Sequence, residues 1–135
     1  MYHVENRKDY ILAFVDEGFQ QYEDSHASKR SDSSVMLDKM INETLHEIGH
    51  PAPVVLDLRK FKIKWTDLVM GLAETNKSES MFRNPNLSEV VVVAESMILK
   101  LGAKALNQTQ YGGINVSVYE NLEDALAHLK EMAVH

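Results

Sequence analysis

Four consecutive valines and an alanine at residues 90–94 (VVVVA) constrain this chain more than any other segment. A strand with one face in water alternates apolar and polar residues, whereas an unbroken β-branched run suits a strand covered on both faces. Strands of that kind belong to parallel sheets, whose crossover connections lay helices over them. Residues 54–58 (VVLDL) form a second, shorter run of the same type. A chain of 135 residues with 44% hydrophobic and 25% charged side chains has the size and balance of one globular unit. The expectation is a single α/β domain over 1–135.

The remaining elements follow from changes of period. Residues 2–5 and 10–19 are rich in aromatic and β-branched types and flank a polar NRKD, which predicts an N-terminal β-hairpin. Residues 23–34 (EDSHASKRSDSS) are almost without large apolar groups and predict a loop or a frayed helix start. From Val35 the period is helical: Leu37, Ile41, Thr44, Leu45 and Ile48 share one stripe, Ser33 or Ser34 stands as N-cap, and Gly49 and Pro51 stop the helix. Thr66 is placed to cap a second helix with Trp65, Leu68, Val69 and Leu72 inward, and Asn84-Pro85-Asn86 predicts a turn. Ser96 is placed to cap a third helix over 97–109, ended by Gly112 and Gly113, and 114–119 (INVSVY) predicts the last strand. Asn121 then caps a final helix carrying Leu122, Ala125, Leu126, Leu129, Met132 and Ala133 inward, with Glu123 and Asp124 at the positive end of its dipole. The predicted order is β-β-α-β-α-β-α-β-α. It describes a single-layer, mainly parallel sheet with an N-terminal antiparallel hairpin strand and helices packed on it.

Charge and cysteine content narrow the function classes. Fourteen Lys and Arg against 20 Asp and Glu give a net charge of −6, a surface that repels phosphate backbones, so no nucleic-acid partner is expected. The absence of cysteine excludes disulfides and thiolate metal sites. The opening MYHVENRKDY has no apolar leader core, and no apolar run reaches membrane-spanning length. A cytoplasmic bacterial or archaeal protein without an integral membrane segment is expected.

Three features invite chemistry. His46-Glu47-Ile48-Gly49-His50 satisfies H-E-x-x-H, which in a zinc hydrolase sets two histidines on one helical face beside a general base. Here Gly49 and Pro51 set His50 beyond the helix end, His46 lies opposite the apolar stripe, and no third ligand follows, so no metal site is expected at His46, Glu47 and His50. Lys60, Lys62 and Lys64 alternate with Phe61, Ile63 and Trp65, which on an extended segment separates ammonium groups from large apolar ones. The methionines Met36, Met40, Met70, Met97 and Met132 fall mostly on apolar stripes and predict core filler. Phosphate-cradling glycine motifs and nucleophile elbows are missing, and no cofactor is expected.

The element order, VVLDLRKF at 54–61 and VSVYENLEDALAHL at 116–129 resemble the STAS (anti-sigma-factor-antagonist-like) family and its SEC14/STAS-like small bacterial relatives. The resemblance covers nearly the whole chain. In the family's regulatory members the corresponding strand runs into a D-S-S-G turn whose serine a partner kinase phosphorylates. Here Trp65 replaces the aspartate, Thr66-Asp67 the serine pair and Leu68 the glycine. The resemblance implies a partner or ligand surface at Lys60, Lys62, Lys64, Trp65, Thr66 and Asp67, with Thr66 as the candidate phosphorylation site; helix capping alone also accounts for Thr66. It implies a non-enzymatic regulatory or interaction module with a protein partner or a second copy of itself. The alternative is a small apolar-ligand or lipid binder with a pocket lined by Trp65, Met70 and Met97, and a zinc hydrolase built on HEIGH comes third.

Overall fold

Both valine-rich runs lie side by side in the interior of a five-stranded sheet. The computed structural model describes residues 2–19, 22–23, 26–62, 80–107 and 115–134. Along the chain the elements are β1 (Tyr2–Asn6), β2 (Ile11–Val15), β3 (Tyr22–Glu23), β4 (His26–Arg30), α1 (Asp32–Ile48), β5 (Ala52–Asp57), a 3-10 turn (Met81–Arg83), β6 (Leu87–Val93), α2 (Met97–Leu106), β7 (Val116–Tyr119) and α3 (Leu122–Val134). The sheet order is β1-β2-β5-β6-β7; β1 runs antiparallel to β2, and β2, β5, β6 and β7 are parallel to one another. The α/β class and the mixed sheet with an antiparallel N-terminal strand are as the sequence predicts.

Alternation of side chains along each strand divides the core in two. On one face Ile11, Ala13, Val54, Val90, Val92 and Val116 pack against Ile41 and Leu45 of α1 and Leu99 and Ala103 of α2. On the other, Val55, Val91 and Val93 pack against Ala125, Leu122 and Leu129 of α3. Valines at 90–93 thus meet helices on both sides, which is why no polar residue interrupts them. The two described helices that join successive parallel strands, α1 and α2, lie on the same face, as right-handed crossovers running in one direction require. Among the described residues no helix is long and apolar enough to cross a membrane.

Local chemistry fixes the element ends. Gly49 adopts φ 77°, and its N–H donates to the Leu45 carbonyl at 3.2 Å, closing α1 with a left-handed cap before Pro51. The Asn121 side chain accepts from the Asp124 N–H at 2.8 Å and caps α3, as predicted. Asn107, just after α2, uses its amide as a surrogate strand: Nδ2 donates to the Val116 carbonyl and Oδ1 accepts from the Val116 N–H, at 3.1 and 2.9 Å. This ties the end of α2 to the start of β7.

Several expectations are corrected. The loop or frayed helix start expected over 23–34 is corrected in part: strands β3 and β4 take 23 and 26–30, and α1 already begins at Asp32. The N-cap of α1 is Ser31, whose Oγ accepts from the Ser34 N–H at 3.1 Å, so the helix starts three residues before Val35. Strand β2 ends at Val15 and not at 19, because the Asp16 carboxylate accepts from the Gly18 N–H at 2.9 Å and turns the chain. Ser96 stands at the N-cap position of α2 without a side-chain cap bond. The helix predicted from Thr66 and the Gly112-Gly113 stop lie outside the described residues.

Candidate functional site

Helices that cross between parallel strands run back against them, so α1 and α2 begin at the carboxyl edge of the sheet and α1 ends at the amino edge. The strand order never reverses among β2, β5, β6 and β7, so the carboxyl edge has no crevice of the doubly wound type. Function must be sought in the side chains that each edge presents.

At the carboxyl edge, Asp57 closes β5 as a buried carboxylate. Arg59 clamps it bidentately, Nε to Oδ1 at 2.9 Å and Nη2 to Oδ2 at 2.7 Å. Burial alone raises the Asp57 carboxyl, but the hydrogen bonds and charge of Arg59, with Lys60 beyond, hold it below the usual carboxylate range. The pair fixes the turn that carries the predicted basic segment. Phe61 points inward, edge-on to Phe19 at 5.7 Å, and Phe19 stands edge-on to Tyr2 at 6.1 Å. Lys60 and Lys62 are exposed, Lys62 lying 3.7 Å from Glu17. The predicted separation of lysines from apolar groups therefore holds for Lys60, Phe61 and Lys62; Lys64, Trp65, Thr66 and Asp67 lie outside the described residues.

The methionine expectation fails at this edge. Met36 is 44% exposed and Met97 69% exposed, joined in the open by Val35 and Leu101. Each sits in the first two turns of α1 or α2, on the side turned away from the buried Ser34 of α1 or Leu99 of α2. Met97 is thus no lining of a closed apolar pocket, and Met70 and Trp65, its predicted companions, lie outside the described residues. Nearby, Lys100 donates to Glu120, whose carboxyl is held below its usual range by that lysine.

HEIGH falls at the other edge. His46 and Glu47 are exposed on the last turn of α1, and His50 stands past the Gly49 cap, its Nδ1 donating to the Pro51 carbonyl at 3.0 Å. Among the described residues no three His, Asp or Glu side chains are grouped to hold a metal ion.

A feature absent from the sequence expectations also lies at the amino edge. A cavity of about 390 Å³ opens between the β1-β2 turn, the α1-β5 turn and α3, lined by Asp9, Tyr10, His50, Glu89, Asn115 and Leu129 among others. Glu89 is buried on β6, and both its oxygens accept from His128 Nε2 of α3 at 3.2 Å. The His128 ring lies 5.4 Å from that of Tyr119. Burial first, and then the charges of Glu89, Glu131 and Asp124, push the Tyr119 phenol above its usual range. The sequence signal was present: Glu89 directly precedes the valine run, on a strand whose residues from 89 onward are buried. No protein-family model, curated protein or solved structure matches this chain. The two edges of the sheet, and the side chains on them, carry the functional reading.

Proposed function

We propose that the chain is a non-enzymatic interaction module of the STAS type that binds a protein partner through the carboxyl edge of its sheet. One observation carries this reading. The large apolar side chains exposed among the described residues, Val35, Met36, Met97 and Leu101, all belong to the first two turns of the helices that begin at that edge. A single exposed apolar group is ordinary, whereas a set confined to one end of a domain is characteristic of interaction surfaces. Methionine suits such a surface because its flexible thioether adapts to the facing groups. Lys60 and Lys62 at the same edge supply rim cations, so the partner presents an apolar centre with carboxylates around it. This mode of binding does not require phosphorylation of Thr66. In this reading the chain acts in the cytoplasm, in keeping with a sequence free of cysteine.

The test is site-specific photo-crosslinking in the native cell, with a benzophenone side chain placed at Met97, at Lys60 or at the exposed Glu43 on the outer side of α1. Adducts of one discrete mass from Met97 and Lys60, lost when Leu101→Asp is added, are the expected result. Equal labelling from Glu43, or no discrete adduct from either edge position, overturns the proposal.

A further inference from the structure

The amino-edge cavity, about 390 Å³, falls within the roughly 300–1,000 Å³ typical of small-molecule sites. Its contents are chemically lopsided. Tyr10 and Leu129 give apolar walls, Asp9 and Glu89 give two carboxylates, His50 stands at the rim, and among the described residues no lysine or arginine lines it. The Glu89 side chain is only 7% exposed, and its one donor among the described residues is the His128 ring N–H, shared between both oxygens. A carboxylate offers about four acceptor positions. A buried one served by a single shared N–H therefore keeps acceptor capacity unused, and here it lies on a cavity wall. The field agrees in sign. The carboxyl end of α1 reaches this edge with its partial negative charge.

We propose that this cavity binds a small organic cation, a primary ammonium or guanidinium on a short apolar stem, with Glu89 as its anchoring acceptor. Asp9 adds a second carboxylate at the mouth, and Tyr10 and Leu129 flank the stem. His128 is a positioning residue that holds the Glu89 carboxylate against the helix. A bare metal ion does not fit as well, since the acidic and histidine groups described here are too dispersed to chelate one. The inference is independent of partner binding at the carboxyl edge, because it concerns the opposite end of the sheet.

The experiment is a titration of the ¹⁵N-labelled protein with n-butylammonium and n-butylguanidinium chloride, with sodium butyrate and n-butanol as anionic and neutral controls. Saturable shifts of the Tyr10, Glu89 and Asn115 amides with at least one cation, and none with butyrate, are expected. Glu89→Gln keeps the shape and removes the charge, and should weaken binding about tenfold. Asp9→Asn alters only an exposed turn residue and should weaken it about threefold, which decides the matter if Glu89→Gln fails to fold. The absence of saturable shifts, an equal response to butanol or butyrate, or unchanged affinity in whichever variants fold overturns the proposal.

Discussion

Asp57 and Arg59 stand two residues apart, yet together they set how the chain leaves β5. The carboxylate is buried and the guanidinium is partly exposed, so the pair combines geometric precision with a modest net energy. Asp57→Asn should destabilise the fold by about 1–2 kcal/mol at neutral pH, as measured by urea denaturation. The pH dependence has a definite sign. Because the folded pKa of Asp57 lies below its unfolded value, the stabilisation is present above the unfolded pKa and is lost as pH falls through the folded one. The difference in unfolding free energy between wild type and Asp57→Asn should therefore be full near neutrality and close at pH values below about 4. Residue-scale legibility was uneven. Gly49 announced itself, since only a helix stop explains glycine and proline at the end of an apolar stripe. Glu89 and His128 are separated by 39 positions and belong to no spaced motif, so only the fold could bring them together.

Each element follows its own balance of side-chain and backbone terms. Helix α1 was legible in its stripe, with Ile41 and Leu45 fully buried, but its start was misplaced because SDSS offers three serines as caps. Only Ser31 has the extended backbone and the Oγ placed to accept from Ser34. Ser31→Ala should cost about 1 kcal/mol in thermal or chemical unfolding, while Ser33→Ala, exposed within the first turn, should stay within about 0.5 kcal/mol. A larger loss at Ser33 would show the cap assignment to be wrong. The β3-β4 ladder was illegible for a different reason. Composition signals a strand only through the side chains it buries, whereas a short ladder is defined by backbone pairing, here Tyr22 with Arg30 and Glu23 with His26. The exposed methionines failed in the reverse direction: Met36 and Met97 each stand two residues from a buried position, Ser34 and Leu99, and so face outward despite their apolar character.

At the scale of the molecule, protection should follow position in the sheet. β5 and β6 have hydrogen-bonded strands on both sides and helices on both faces, and their valines are fully buried. Native-state amide exchange should therefore be slowest for Val55, Val91 and Val93, and faster by orders of magnitude in β1 and β7, which open by local fraying. Equal protection across all five strands would mean that the sheet opens only as a whole. This much was legible in advance, since an uninterrupted valine run specifies a central strand. The gathering of exposed apolar side chains at the carboxyl edge and of Asp9 and Glu89 at the amino edge was not, because it depends on how the fold sets helix faces and strand ends side by side.

The strand order has one more consequence, for the chain as it is being made. Reading across the sheet repeats the sequence of synthesis: the first hairpin, then β5 beside β2, β6 beside β5, and β7 beside β6. Every strand of this sheet after the first finds a neighbour already translated as it emerges from the ribosome, and none is inserted between two that already pair. Assembly can therefore advance as a growing edge, in step with translation, and at each stage only the newest strand lies open to a wrong partner.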